Sequence, residues 1–311
     1  MAVTVGDPEH GGTGLAGAEP ALQLLANSVA EGKCILFIGA GVHHSPPQGA
    51  KYSYAESDRP PMGGALAQEL ALECNFAKMC PGEQSDNLQR VALCYEKELG
   101  RPALIERIRQ AVEQGRKPSA ALRALAELRF PLVMTTNYDT LFERALRQDH
   151  VGKDPFTAAY SPDRYERTTD YAGGDQPTDD RPFVFKVHGD INTPKSIVVT
   201  DEDYITFVLR MNTEGRGFHP IPDTFLYWLN KWPTLFVGYR LMDFNLRLLF
   251  RTLRWRLDTA QRPNSYSVDL KPDPLVSELW TKEHGLRFIV EDVWEFVPWL
   301  YSAVTKREMP K

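Results

Sequence analysis

The stretch Lys33-Cys34-Ile35-Leu36-Phe37-Ile38-Gly39-Ala40-Gly41-Val42 decides how the rest of the chain reads. Cys34 to Ile38 run apolar without a break, as a strand buried on both faces does, and pass directly into Gly39-Ala40-Gly41. Glycine lacks a Cβ and tolerates positive φ. Backbone N–H groups in such a turn can therefore approach a diphosphate closely, and a following helix N-terminus adds a favourable dipole. The dinucleotide fingerprint G-x-G-x-x-G is incomplete here, because His44-Ser45-Pro46 stands where its third glycine would fall. Taken alone, the bend fits a tight turn in any α/β domain as well as it fits a phosphate site.

Working outward, residues 1–18 are rich in Gly, Ala and Glu without periodicity and read as a flexible lead-in. Ala21 to Ala30 places Leu22, Leu24, Leu25 and Val29 on one side of a helix that delivers the chain to the first strand. After the glycines, His43 to Pro61 is a polar, proline-containing loop, expected to act as a lid over a cofactor. Gly64–Phe76, Asp86–Leu99, Pro102–Gln114 and Pro118–Leu128 carry helical periodicity and predict a helical subdomain over about 64–128. Strand-like runs then recur at Leu132–Thr136, Phe183–Val187, Ser196–Val199, Thr234–Val237, Ser265–Val268 and Leu286–Val290. Helical patterns at Thr140–Leu146, Tyr204–Met211 and Phe244–Leu257 fall between them, and His150 to Arg181 reads as a surface excursion. The alternation predicts an α/β fold: a Rossmann-like parallel sheet covered by helices on both faces, in one domain over 19–305 with a short tail at 306–311.

Composition narrows the function classes. A net charge of −5 supplies no general basic field, so binding of nucleic acid by bulk electrostatics is not expected. No apolar run approaches the roughly 20 residues that span a bilayer, which predicts a soluble chain. Cys34, Cys74, Cys80 and Cys94 form no C-x-x-C pair and have no histidine at ligand spacing, so no structural metal is expected. Unpaired thiols without a signal peptide fit a reducing cytoplasm.

Ligands of an open parallel sheet bind at the carboxyl ends of its strands, so the polar residues there matter most. They are Thr135-Thr136-Asn137-Tyr138-Asp139, His188-Gly189-Asp190 and Gly238-Tyr239-Arg240, beside the first glycine turn. Asp139 reads equally well as the N-cap of the helix from Thr140, and His188 as a structural imidazole whose Gly189 neighbour admits a close approach. Thr200-Asp201-Glu202-Asp203 has the form of a capping box. His43 and His44 are expected to face solvent, and Arg247, Arg251, Arg254 and Arg256 to form the solvated or subunit-facing side of an amphipathic helix. Asp269, just past the strand ending at Val268, is expected to accept from a ribose hydroxyl.

GAG after an apolar strand, TTNYD, KVHGD, SIVVTDEDY and LFVGYRLMD, in this order between Lys33 and Asp243, resemble the sirtuin superfamily. The likeness is to its zinc-free sirtuin-like branch found in bacterial antiphage defence. It implies that NAD is bound as a substrate, with Gly39, Ala40, Gly41 and Val42 at the diphosphate. It further implies that Asn137, with Thr136 and Asp139, stands at the nicotinamide ribose, that His188 before Gly189 is the base, and that Gly238 and Tyr239 meet the adenosine half. The chain lacks the C-x-x-C pairs of the protein deacylases, and Pro60-Pro61-Met62-Gly63-Gly64 replaces their Ile-Pro-x-Phe-Arg type segment. The serine expected after GAG is also replaced, by His43-His44 ahead of Ser45. The activity implied is hydrolysis of NAD to nicotinamide and ADP-ribose; the alternatives are NAD-dependent deacylation and a non-catalytic nucleotide-sensing or scaffold subunit of a defence complex. A dehydrogenase is disfavoured by the missing fingerprint and acid. Because NAD depletion is toxic, control is expected through homo-oligomerisation or a partner, by resemblance an ATPase or helicase or a short Argonaute-type protein.

Overall fold

In the computed structural model the described residues are 20–163, 165–172, 176–211, 219–239 and 263–311. The lead-in 1–18, Arg240 and the expected helix Phe244–Leu257 with its arginines lie outside them. Seven four-residue strands are described: β1 (Ile35–Ile38), β2 (Leu132–Thr135), β3 (Phe156–Ala159), β4 (Phe183–Lys186), β5 (Thr234–Val237), β6 (Ser265–Val268) and β7 (Leu286–Ile289). They form one sheet in the order β3-β4-β2-β1-β5-β6-β7, and every neighbouring pair is parallel. The register pairs Ile35 with Leu132 on one side and with Thr234 on the other.

Alternation along the strands divides the core into two layers. Leu36, Ile38, Val133, Val184 and Leu235 face one layer with helices α1 (Pro20–Ala30), α6 (Ala120–Glu127) and α7 (Leu141–Leu146). Ile35, Phe37, Met134, Phe185 and Phe236 face the other, against α8 (Asp201–Met211) and α9 (Asp223–Trp228). Burial on both faces explains why β1 reads as an unbroken apolar run. A third cluster joins α2 (Gly63–Glu73), α4 (Leu88–Leu99) and α5 (Arg101–Val112), with the short α3 (Phe76–Met79) beside them, and is the expected helical subdomain. Asn75 in the left-handed region, φ 52°, divides α2 from α3 where a single helix was expected to run to Phe76. The Thr200–Asp203 box is present, since the Thr200 Oγ1 accepts from the Asp203 N–H and the Asp203 carboxylate from the Thr200 N–H. α10 (Pro274–His284) precedes β7, and α11 (Val293–Thr305) follows it. No helix among the described residues is long and apolar enough to cross a membrane.

Two expectations need correction. Ser196–Val199 is not a strand: a 3-10 turn at Pro194–Ser196 leads into an unpaired segment. Its apolar side chains are spent elsewhere, with Ile197 and Val199 filling the helical-subdomain core and the Val198 N–H donating to the His188 carbonyl. Conversely, the supposed surface excursion contains β3, an edge strand on which only Ala158 is fully buried, so no apolar run advertised it. The 43–61 segment, expected as a lid, is tied down at its base. Tyr52 and Tyr54 are buried against Trp294, with ring centroids 6.3 and 6.2 Å away, and the Trp294 Nε1–H donates to the His44 carbonyl. From this base His43, His44, Ser45, Pro60 and Pro61 line a cavity.

Candidate functional site

Without the edge strand β3, the remaining order runs outward in both directions from β1 and β5, so the topological switch point lies between them. The strand ends open there onto one cavity of about 890 Å³. Asn137 and Asp139 reach it from β2 and His188 from β4; Ala40 and Gly41 come from β1, Gly238 and Tyr239 from β5, and Asp269 from β6. Thr136 also lines it, whereas Gly39, Val42 and Gly189 do not. From β4 to β6 is four strand spacings, about 19 Å, the scale of an extended dinucleotide rather than a single sugar.

The glycines at the bend serve the fold before any ligand. A Cβ on Gly39 would lie 2.5 Å from the Gly238 carbonyl oxygen, and one on Gly41 2.7 Å from the same atom. Gly238 itself has φ +75° and would bring a Cβ to 2.3 Å from the Val42 nitrogen. Only glycine on both sides lets the ends of β1 and β5 close to this distance. The N–H groups of Gly39, Gly41 and Val42 already donate to the carbonyls of Val237, Gly238 and Gly39. A diphosphate at the bend would therefore meet the exposed backbone of Ala40 and Gly41 rather than a ring of free amides.

Beyond β2, two polar groups order the turn. The Thr135 hydroxyl donates to the Ile38 carbonyl at 2.8 Å and accepts from the Asn137 N–H at 3.0 Å, which fixes the Asn137 backbone to the end of β1. Asp139 stands one residue before the Thr140 N-cap of α7 and lines the cavity. One carboxylate oxygen accepts from the Leu141 N–H at the start of α7, and the other lies 3.3 Å from His43 Nε2. His43 is 3 % exposed, which corrects the solvent-facing expectation; it also stands 3.3 Å from Asn137 Nδ2 and 3.5 Å from the Tyr54 hydroxyl. Burial works to raise the Asp139 carboxyl, but His43, Lys186 and the Leu141 N–H together hold it below the usual carboxylate range.

Behind Asp139, the fully buried Lys186 ammonium lies 3.1 Å from Asp190 and 3.3 Å from Glu143, and donates to the Tyr138 and Asp139 carbonyls. Burial would lower this lysine, yet Glu143, Asp190 and Asp139 outweigh it and raise it, while burial keeps Glu143 raised. His188, on the next strand end, is buried with Nδ1 3.3 Å from the Tyr204 hydroxyl and its ring edge-on to Tyr204 and Phe207. Gly189 follows it at φ +94°, where a Cβ would fall 2.2 Å from the Ser196 carbonyl oxygen.

Neither Tyr54 nor Lys186 was assigned a role from the sequence, His43 was expected in solvent, and Thr135 was named only within its strand-end run. Lys186 alone carried a signal: a lysine closing the buried run Phe183-Val184-Phe185 demands carboxylates nearby.

A parallel α/β sheet with a cavity at its switch point is the arrangement in which Rossmann-like folds bind their ligands. The SIR2-like domain matches residues 131–289, just over half of the sequence, and the chain belongs to that family. It is 24% identical over 302 residues to "NAD(+) hydrolase ThsA" of Acinetobacter baumannii (strain 532279), covering 91% of this chain and 55% of that protein. The protein of the same name in Bacillus cereus (strain MSX-D12) is 23% identical over 275 residues, covering 86% of this chain and 50% of the relative. The chain thus spans about half the length of these relatives. A crystal structure described as a SIR2 homolog–NAD complex shares 14% identity over 91% of this chain and 94% of its own, with a TM-score of 0.37.

Proposed function

We propose that the chain binds NAD in the switch-point cavity and hydrolyses it to nicotinamide and ADP-ribose, as the effector of an antiphage defence system. The reading rests on one observation above the others: Asn137 and His188, from separate strand ends, open into the same cavity as the Ala40–Gly41 bend and Gly238. The names of the ThsA relatives and the SIR2-like match agree with it.

In the reaction the bond between the ribose anomeric carbon and the pyridinium nitrogen breaks, and its electron pair neutralises nicotinamide. The ribose passes through an oxocarbenium-like state, water adds to the anomeric carbon, and one proton is released. Asn137, which both donates and accepts, orients the ribose or the water, and His188 takes the proton. Asp269 at the far end is assigned to a ribose hydroxyl of the adenosine half. Control of so costly a reaction is assigned to self-association or to a separate partner.

The test is product analysis by mass spectrometry after incubating the purified chain with NAD in water enriched in oxygen-18, over a range of protein concentrations. Nicotinamide and ADP-ribose carrying one heavy oxygen are expected, with a rate per chain that rises with concentration. NAD left intact both by the chain alone and by the chain with the products of neighbouring genes, or transfer of ADP-ribose to an added acylated peptide instead of water, would overturn the assignment.

A further inference from the structure

His43 is buried at the cavity wall in contact with two residues of the proposed site, and the sequence gives it no evident partner. We propose that His43 is a positioning residue, whose Nε2 holds the Asn137 side-chain amide in the orientation that meets the ribose. The inference rests on the NAD hydrolase reading.

The argument is one of hydrogen-bond capacity. The Tyr54 hydroxyl donates to the Lys117 carbonyl at 2.8 Å, so towards His43 Nδ1, 3.5 Å away, its oxygen can only accept, and Nδ1 carries a proton. Two groups then compete for Nε2 at 3.3 Å each: the Asn137 amide nitrogen, which can only donate, and an Asp139 carboxylate oxygen, which can only accept. A neutral imidazole takes the Asn137 N–H and leaves the amide oxygen for the ribose or the water. The groups facing His43 are thus Tyr54 from the 43–61 segment and Asn137 and Asp139 from the end of β2, with Lys186, Glu143 and Asp190 behind the carboxylate.

Because the contact is made to the amide and not to NAD, losing it affects the chemical step rather than binding. His43→Ala is expected to lower kcat by roughly 10²-fold, the scale of a misplaced reacting group, with KM unchanged. His43→Gln, whose amide oxygen can still accept from Asn137, recovers part of that loss.

A second readout needs no turnover. Nitrogen-15 NMR of the histidine rings, with the His43 signals identified by their loss in His43→Gln, is expected to show Nε2 moving in Asn137→Ala and again in Asp139→Asn. Folded His43 variants with wild-type kcat, or His43 ring nitrogens unmoved by Asn137→Ala, would overturn the proposal. A wild-type chain that cleaves no NAD, alone or with the products of neighbouring genes, would instead overturn the hydrolase reading, and the NMR arm would still decide whether His43 holds Asn137.

Discussion

Lys186 is the buried charge on which the site's polar residues depend. Its ammonium lies within 3.3 Å of both Glu143 and Asp190 and donates to the carbonyls of Tyr138 and Asp139, the two residues that follow Asn137 in the turn. Replacing it by methionine leaves buried carboxylates uncompensated and is expected to cost about 3–5 kcal/mol in denaturant unfolding. The pH dependence follows from the same network. Asp139 is held below its usual range in the folded state, so its contribution is present above the unfolded carboxylate value and is lost as pH falls through the folded one. Lys186 is raised, so its contribution is lost only on the alkaline side. Wild-type stability should therefore decline on acidification below about pH 4, and Asp139→Asn should flatten that decline. At this scale the sequence showed which residues stand at strand ends and little of what they touch. His43 was illegible because its burial depends on Tyr54, Asn137 and Asp139, which are 11, 94 and 96 positions away. Histidine beside histidine in a polar segment carries no periodic signal of that.

At the scale of elements, β1, β2, β4 and β5 were legible because both of their faces are covered and most of their side chains are apolar, and β6, despite two serines, and β7 also fall where strands were expected. β3 was not, since an edge strand half-open to solvent looks like a loop. Ser196–Val199 misled for the opposite reason: apolar residues that plug two cores resemble a strand without pairing as one. That plug matters to the site, because the Val198 N–H donates to the His188 carbonyl and the Tyr138 hydroxyl to the Val198 carbonyl. Gly189 is what lets it approach. Gly189→Ala combines positive φ with a Cβ 2.2 Å from the Ser196 carbonyl oxygen, so it should destabilise the fold by at least about 1–3 kcal/mol. It should also lower NAD turnover by shifting His188, as thermal melts and rate assays on the same preparation would show. A Gly189→Ala protein as stable and active as wild type would mean that the plug does not set the His188 position.

At the scale of the molecule, one parallel sheet gathers its polar strand ends at the switch point and packs a helical subdomain beside them, with Leu66, Asp86 and Gln89 forming the far wall of the cavity. The order of strands and the position of the cavity fall on the same edge of the sheet, the one at which the site is proposed. The central claim is that Asn137 and His188 act as a unit on one ribose. The measurement that tests it most directly is the NAD turnover of folded Asn137→Ala, His188→Ala and the double variant. Each single change is expected to cost roughly 10²–10⁴-fold, and the double variant should be little worse than the poorer single, because groups that act together are not additive. Single variants that fold and turn over NAD at the wild-type rate, or losses that multiply in the double variant, would contradict it.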